Sequence, residues 1–181
     1  MNLIFRTMLQ WFRSKRASKL HIHEVARTPF HVLPTDLDVL GHMNNGVYFS
    51  IMDLGRMDLM MRAGAWARLS ELGFYPVASN ETITFRKSLQ PWQRFTLETC
   101  IVGYDEKAVF VEQRFVVKGE VYAKGFMRGR FLKKTGGTVS MKELSDALGV
   151  DTTAVTLPEW LARWSDDVVL PPTRSDAPSE W

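Results

Sequence analysis

The sequence predicts an α+β domain in which a curved antiparallel β-sheet wraps a long central helix. A first strand-like run covers residues 21–33, and residues 45–62 then contain no proline and place apolar side chains at helical spacing. Four further runs rich in β-forming residues follow, separated by short turn signals that suit antiparallel neighbours. One strand, one buried helix and four strands in this order are typical of a sheet packed on a single helix.

The central helix is predicted to run from about Asn45 to Arg62. It is apolar nearly all round, which is usual for a helix buried inside a protein. Its charged residues are spaced for pairing along the helix, Asp53 with Arg56 and Asp58 with Arg62, so local ion pairs are their expected role.

The first strand contains Pro29, which predicts an edge position or a bulge because proline cannot donate to a sheet ladder. Residues 65–76 are interpreted as a connecting stretch between the helix and the remaining strands. The four later strands are predicted at Val77 to Leu89, Arg94 to Tyr104, Ala108 to Val117 and Val121 to Lys133.

Two short helices are predicted after the sheet. Ser140 and Glu143 form a capping box for a helix that ends near Gly149. In the second helix, residues 156–164, two tryptophans four positions apart indicate a face that docks on the body of the domain. We therefore divide the chain into an amphipathic N-terminal helix at residues 1–19, a main domain at 20–140, and a helical extension with a loose tail at 141–181.

Composition and charge exclude several classes of protein. Cys100 is the one cysteine, so an internal disulfide framework is excluded and a reducing, cytoplasmic compartment is expected. No Cys/His spacing suggests structural zinc, and neither a metal nor another cofactor is expected. The net charge is +3, but residues 1–19 contain five basic residues and no acid, so the remainder is slightly acidic. This distribution does not predict a nucleic-acid-binding surface.

The N-terminal segment is predicted to form an amphipathic helix. Its interruption by polar residues makes it a poor secretory signal and too polar to span a bilayer. Two roles remain open, namely attachment to a membrane interface and packing on its own domain or on a partner subunit. The apolar side has Ile4, Phe5, Met8, Trp11 and Phe12, and the opposite side has Arg6, Gln10 and Arg13.

Residues 36–48, Asp-Leu-Asp-Val-Leu-Gly-His-Met-Asn-Asn-Gly-Val-Tyr, stand directly before the central helix. This string resembles the signature of hot-dog-fold thioesterases of the 4-hydroxybenzoyl-CoA and acyl-ACP thioesterase type. The wider frame, from His31 to the segment at residues 158–164, is similar to THEM-type thioesterase-like proteins, including membrane-associated animal members. The resemblance covers about residues 25–165 and implies a hot-dog fold that hydrolyses acyl-CoA or acyl-ACP thioesters. It also implies a homodimer or homotetramer with sites near the subunit interface.

The resemblance assigns the catalytic acid to Asp38 and the polarising amide to the helix start near Asn45. A carboxylate in this turn could attack the thioester carbonyl or deprotonate a water, and the residues leave both routes open. The first amides of the helix, those of Asn45 and Gly46, would face the developing oxyanion. His42 is predicted to orient a water or to bind the thioester carbonyl.

Asn44 is predicted to orient the acid or to cap the helix. Asn44, Gly46 and Tyr48 are the predicted substrate-binding residues, and Asp53 within the central helix is an alternative acid. A second hypothesis is a catalytically silent protein that binds an acyl thioester or lipid at a membrane. Six basic residues, for which solvated strand edges are an equal explanation, are candidates for contact with CoA phosphates: Arg86, Lys87, Arg128, Arg130, Lys133 and Lys134.

Overall fold

The computed structural model describes residues 3–171 and 175–179 of the chain. Within these residues the order of helices and strands is close to the predicted order. In chain order they are α1 (Leu3–Arg16), β1 (Ala26–His31), α2 (Asn45–Arg62), α3 (Ala65–Glu71), β2 (Phe74–Phe85), β3 (Arg94–Tyr104), β4 (Val109–Val117), β5 (Glu120–Lys133), α4 (Met141–Leu148) and α5 (Glu159–Asp167).

The five strands form one sheet in the order β1-β3-β4-β5-β2, and all neighbouring strands are antiparallel. The predicted α+β architecture is confirmed. Strand β1 lies at one edge of the sheet, in agreement with the position that Pro29 predicted, and β2 lies at the other edge. The crossover from β1 to the far edge carries α2, so the helix lies across one face of the sheet.

Helix α2 approaches the sheet most closely at Gly55. A Cβ atom at this position would lie 2.4 Å from Leu97 Cδ2 and 2.7 Å from Thr99 Oγ1, both on β3. Beside this contact the amide of Gln113 on β4 donates to the carbonyl of Met52 at 2.9 Å and to Thr99 Oγ1 at 3.0 Å. Because Gly55 has no side chain, α2 lies close enough to the sheet for the Met52 carbonyl to accept the Gln113 side-chain amide. This bond satisfies a buried polar group.

The largest differences from the prediction lie in three regions before β3. The stretch predicted as a connection contains α3, because Gly64 in the left-handed conformation ends α2 and a second helix buries Ala65 and Leu69 against the core. Strand β2 begins earlier, at Phe74, and ends at Phe85. The first strand is shorter than predicted and begins only at residue 26.

Both predicted C-terminal helices are present, although the second, α5, spans Glu159–Asp167 and not residues 156–164. Ser140 and Glu143 form the reciprocal capping box of α4, and Gly149 ends that helix in the left-handed conformation. Helix α5 packs on the sheet face opposite α2, with Leu161 fully buried and Trp160 edge-on to Phe126 at a centroid distance of 4.8 Å. The outer face of the sheet is therefore covered by α5 where Phe110 and Phe126 lie.

Helix α1 packs along α2 with Gln10 of the predicted polar side and Ser14 inward. Of the predicted apolar side, Trp11 packs against the domain while Ile4, Phe5, Met8 and Phe12 face outward. Gln10 and Ser14 are each only 3% exposed, whereas Phe5 is 72% and Phe12 is 55% exposed. No helix in the described ranges is long and apolar enough to cross a membrane.

Candidate active site

The predicted signature folds into a closed turn just before α2. An isolated bridge pairs Leu37 with Met43, and inside it the backbone N–H of Asp38 donates to the carbonyl of His42 at 2.8 Å. Gly41 reverses the chain with a φ of 77°, a conformation that glycine adopts without steric cost. Asp38 and His42 are thus neighbours across the turn.

One oxygen of the Asp38 carboxylate is held by the turn itself. Its Oδ1 accepts the backbone N–H groups of Leu40 at 2.9 Å and His42 at 3.2 Å. Within residues 3–171 and 175–179 no donor is found for Oδ2, and the residue is half-buried. The turn therefore fixes the orientation of the carboxylate and leaves one oxygen available for chemistry.

Asp36, two positions earlier, is placed quite differently. It is 1% exposed and forms an ion pair with Arg6 of α1, with an Nη2 to Oδ2 distance of 2.9 Å. Its carboxylate also accepts the N–H of Leu33, and its carbonyl accepts the N–H of Asn44. Asp36 consequently holds the signature segment to the rest of the domain.

Helix α2 begins at Asn45, as predicted, and Asn44 is its N-cap. The Asn44 side chain accepts the backbone N–H of Gly46 at 2.8 Å, and the Asn44 carbonyl accepts that of Val47. In the described part of the chain no acceptor is found for the N–H of Asn45. Of the two amides predicted to meet an oxyanion, Gly46 is engaged by the cap, and Asn45 is free at the positive end of the helix.

The side chains of His42 and Tyr48 have contrasting surroundings. His42 is half-buried, and no hydrogen-bond partner for its ring is found in the ranges that the structure covers. Tyr48 is 2% exposed, accepts the backbone N–H of Leu89 at 3.2 Å and stacks edge-on with Phe85 and Phe115. Burial raises the pKa of Tyr48. Within the protomer Tyr48 is a core residue, and its predicted role in substrate binding stays a prediction.

A cavity of about 260 Å³ lies beside the second half of α2, away from the signature turn. It is enclosed by α2, α3, α4 and the inner face of the sheet. No residue between 36 and 48 lines it. Its lining is mainly apolar and includes Met57, Leu59, Trp66, Leu69, Val111 and Phe131.

The charged residues of the cavity lining are Asp53 and Arg56, the predicted ion pair, which the structure confirms. Arg56 is largely buried, donates to Gln113 Oε1 at 2.8 Å and lies 2.8 Å from Glu81 Oε1. The contact with Glu81 is an ion pair without an aligned hydrogen bond. Burial raises the pKa of Glu81, Arg56 opposes the shift and Asp53 adds to it.

Glu81 was not recognised from the sequence, because its link to Arg56 joins strand β2 to the central helix and no local spacing signals such a contact. The second predicted helix pair is also confirmed, with Arg62 Nη1 lying 3.2 Å from Asp58 Oδ2.

The six basic residues considered for CoA phosphates are mostly paired with acids of the same chain. Glu120 binds both Arg86 and Lys87, while Arg128 pairs with Asp105 and Lys133 with Glu143. Arg130 and Lys134 are exposed, and no acidic partner is found for them in the described ranges. These last two are therefore the basic residues of the set that are open to a phosphate.

The chain is similar in sequence to known thioesterase-like proteins. The chain is 37% identical over 99 residues to Protein THEM6 of Xenopus laevis, an alignment that covers 55% of this chain and 48% of that protein. The chain thus spans about half the length of the vertebrate THEM6 proteins it matches.

Solved structures show the same fold. The probable thioesterase YbaW of Escherichia coli has a TM-score of 0.63 and 21% identity, covering 67% of this chain and 95% of that one. A Staphylococcus aureus protein solved in complex with CoA has a TM-score of 0.62 and 17% identity, covering 80% and 96%. The predicted hot-dog fold is confirmed. The family described as the thioesterase-like superfamily matches residues 32–165, and the chain belongs to that superfamily.

Proposed function

We propose that this protein hydrolyses acyl thioesters, with Asp38 as the nucleophile or general base. The proposal rests on two groups of the same turn-helix segment, a carboxylate oxygen and a backbone N–H, that both lack a hydrogen-bond partner in the described ranges. Asp38 keeps one carboxylate oxygen without a donor, and Asn45 keeps a backbone N–H without an acceptor, in the described ranges. A thioesterase needs both an activated oxygen and a donor for the oxyanion.

Two routes fit this arrangement. In the nucleophilic route, an Asp38 oxygen attacks the carbonyl carbon, the C–S bond breaks and the thiolate leaves. Water then hydrolyses the resulting anhydride, which releases the free acid, restores the Asp38 carboxylate and supplies the proton that the thiolate takes up. In the general-base route, Asp38 takes a proton from water, the hydroxide adds to the carbonyl, and the thiolate leaves and takes up the proton. In both routes the Asn45 N–H would stabilise the oxyanion, and the unpaired ring of His42 would orient the water or hold the carbonyl.

We propose acyl-CoA as the first substrate class to test, with acyl-ACP as the alternative. The Staphylococcus aureus neighbour with bound CoA supports this order. The apolar cavity beside α2 supports an apolar acyl group, and its volume is close to the lower end of ligand-pocket volumes, about 300 to 1000 Å³.

A second candidate is an acyl-thioester or lipid carrier that does not hydrolyse its ligand. The observation in its favour is the distance of the cavity from the signature turn. Asp53 borders the cavity and Asn45 starts the helix, and eight residues of α2 correspond to about 12 Å along the axis. A carrier would use the cavity and leave Asp38 as a structural turn residue.

A panel of acyl-CoA esters of increasing chain length distinguishes the two candidates. We expect purified protein to release free thiol in proportion to its concentration, measured with a thiol-reactive chromophore. Binding of the same esters without thiol release would contradict hydrolysis and support the carrier. Acyl-ACP substrates are tested in the same way to choose between CoA and ACP.

The role of the cavity is tested with Ala78→Phe, because Ala78 is exposed and lines it. The added ring is expected to raise KM for long acyl chains more than for short ones. Thr84→Phe is the matched control, since Thr84 is an exposed residue of the same strand outside the cavity lining. An equal effect of both substitutions on every chain length would exclude the cavity as the acyl site.

We further propose a cytoplasmic homodimer or homotetramer. Strand β2 supports the assembly, because this 12-residue strand forms one edge of the sheet and such edges readily pair with a second copy. Light scattering of the purified chain measures the assembly, and a monomer at all concentrations would contradict it. Cell fractionation tests the compartment.

A further inference from the structure

Helix α1 is attached to the domain in an inverted manner. Amphipathic helices normally bury their apolar face. In α1 the apolar side chains of the outer side are at least half exposed, and the buried side chains are those of Gln10 and Ser14. The outward apolar side chains are Ile4 at 65%, Phe5 at 72%, Met8 at 53%, Leu9 at 50% and Phe12 at 55% exposure. We call these five residues the outer face of α1.

The inward side is held by a buried carboxylate near the end of α2. Asp58 accepts hydrogen bonds from Gln10 Nε2 at 3.1 Å and Ser14 Oγ at 2.6 Å, both in α1. It also accepts the hydroxyl of Thr28 at 2.8 Å and the guanidinium of Arg62 at 3.2 Å. The buried side chains of Gln10 and Ser14 are thus both paired, so this part of the attachment is specific although it is polar.

Two further contacts fix the direction of the helix. Arg6 reaches Asp36 near the start of α1, as described above, and Trp11 packs edge-on against Trp66 at a centroid distance of 5.8 Å. The helix is therefore anchored along its length, and rotation to bury the outer face would break the bonds to Asp36 and Asp58.

Basic residues lie next to the outer face. Arg13, Lys15, Arg16 and Lys19 are all exposed, and residues 1–19 contain no acid. An apolar stripe flanked by exposed cations is the surface that an interfacial helix presents to anionic lipid.

We propose that the outer face of α1 docks the protein on an anionic bilayer surface, with the apolar side chains in the interface and the cations at the headgroups. This inference goes beyond the proposed hydrolysis and does not depend on it.

The charge distribution favours lipid over a second copy of the chain. A two-fold contact through this face would bring the same patch of each subunit together, and the cations would repel one another. Five side chains also form a small surface beside the roughly 20 to 30 residues per side of a stable protein interface. An anionic bilayer supplies opposite charge and an apolar layer together.

Co-sedimentation of the full chain with vesicles tests the proposal. Vesicles of phosphatidylcholine alone are compared with vesicles that also contain phosphatidylglycerol, at low and high salt. We expect binding to the anionic vesicles and weaker binding to the neutral ones. The double substitution Phe5→Ser and Phe12→Ser should lower the partition coefficient onto anionic vesicles by about tenfold or more.

The cations are tested by Arg13→Gln, Lys15→Gln and Arg16→Gln in one variant. At about 1 kcal/mol per basic residue, the loss at low salt is on the order of 100-fold, and it should shrink at high salt. Val169→Ser with Leu170→Ser is the matched control, since these two apolar residues are exposed elsewhere on the chain. The control should bind like the parent protein.

Three results would overturn the proposal. The first is no binding of the parent protein to anionic vesicles, and the second is equal loss in the control variant. The third is that the Phe5 and Phe12 variant has a smaller mass in solution by light scattering while its vesicle binding is unchanged. That result would make the outer face a contact between subunits.

Discussion

Asp38 precedes the central helix and Asp58 lies near its end, and the two carboxylates have opposite hydrogen-bond surroundings. Asp38 is half-buried, and two backbone N–H groups occupy one of its oxygens. Asp58 is 2% exposed and accepts bonds from side chains of four residues in α1, β1 and α2. A saturated carboxylate cannot attack a carbonyl or take a proton without first losing its partners, whereas an oriented carboxylate with a free oxygen can do both.

The same contrast holds between the two acids of the signature. Asp36 is buried and forms an ion pair with Arg6, whereas Asp38 lies in the turn and only its Oδ1 accepts hydrogen bonds in the described ranges. Asp36 and Asp58 are thus buried and fully paired, as expected of structural acids, whereas the candidate catalyst Asp38 is only partly paired. The following substitutions test this distinction.

Asp38→Asn has the largest expected effect, on activity. The substitution keeps the shape and removes the charge, so kcat for the best acyl-CoA should fall by about 10² to 10⁴, the contribution of a positioned general base. Stopped assays of thiol release measure it. Asp53→Asn is the matched control and should retain most of the activity, because that residue is paired with Arg56 in a mainly exposed position. A folded but inactive Asp53→Asn beside an active Asp38→Asn would assign the acid to the helix.

Asp58→Ala should have the largest effect on stability. It removes the counter-charge of the largely buried Arg62 and leaves the buried hydroxyl of Thr28 without its acceptor, and removing one partner of a buried ion pair costs about 3 to 5 kcal/mol. Urea unfolding measures the free energy of unfolding. Asp53→Ala, at an exposed carboxylate, should change it by less than about 1 kcal/mol. Similar losses in both variants would refute the assigned difference between the two acids.

Gly55→Ala should destabilise the protein by about 1 to 3 kcal/mol, because the added methyl group overpacks the contact of α2 with Leu97 and Thr99. Thermal and urea unfolding give the value. Ser50→Ala lies on the same helix without such a contact and should stay within about 0.5 kcal/mol. A neutral Gly55→Ala would show that the helix can move off the sheet at little cost.

The smallest expected effect is the pH dependence at Glu81. Burial raises the folded-state pKa of this carboxyl above its ordinary value. The folded protein therefore binds this proton more tightly than the unfolded chain does, and this contribution to stability is lost as pH rises through the raised pKa. Relative to the parent protein, Glu81→Gln should thus gain stability as pH rises above the ordinary pKa of a glutamate. A difference in unfolding free energy that is constant with pH would contradict the shift.

The sequence by itself determined the features that depend on neighbouring residues. The span of α2 and the capping box of α4 follow from local geometry, and the structure agrees with both. For Asn44 and for the Pro29 strand the sequence left two alternatives each, and the structure shows the helix cap and the edge position. The turn of the signature segment was predicted for the same reason, because the bonds that close it lie within residues 36–44.

Only the tertiary structure decided which side of each amphipathic element is buried and which charges meet. Helical spacing identifies the apolar side of α1, but the bonds of Gln10 and Ser14 to Asp58 turn that side outward. The contact of Glu81 with Arg56 likewise joins residues 25 positions apart, on different elements. Local spacing carries no information about such pairs, because the free energy of a buried charge depends on partners that the fold alone brings together.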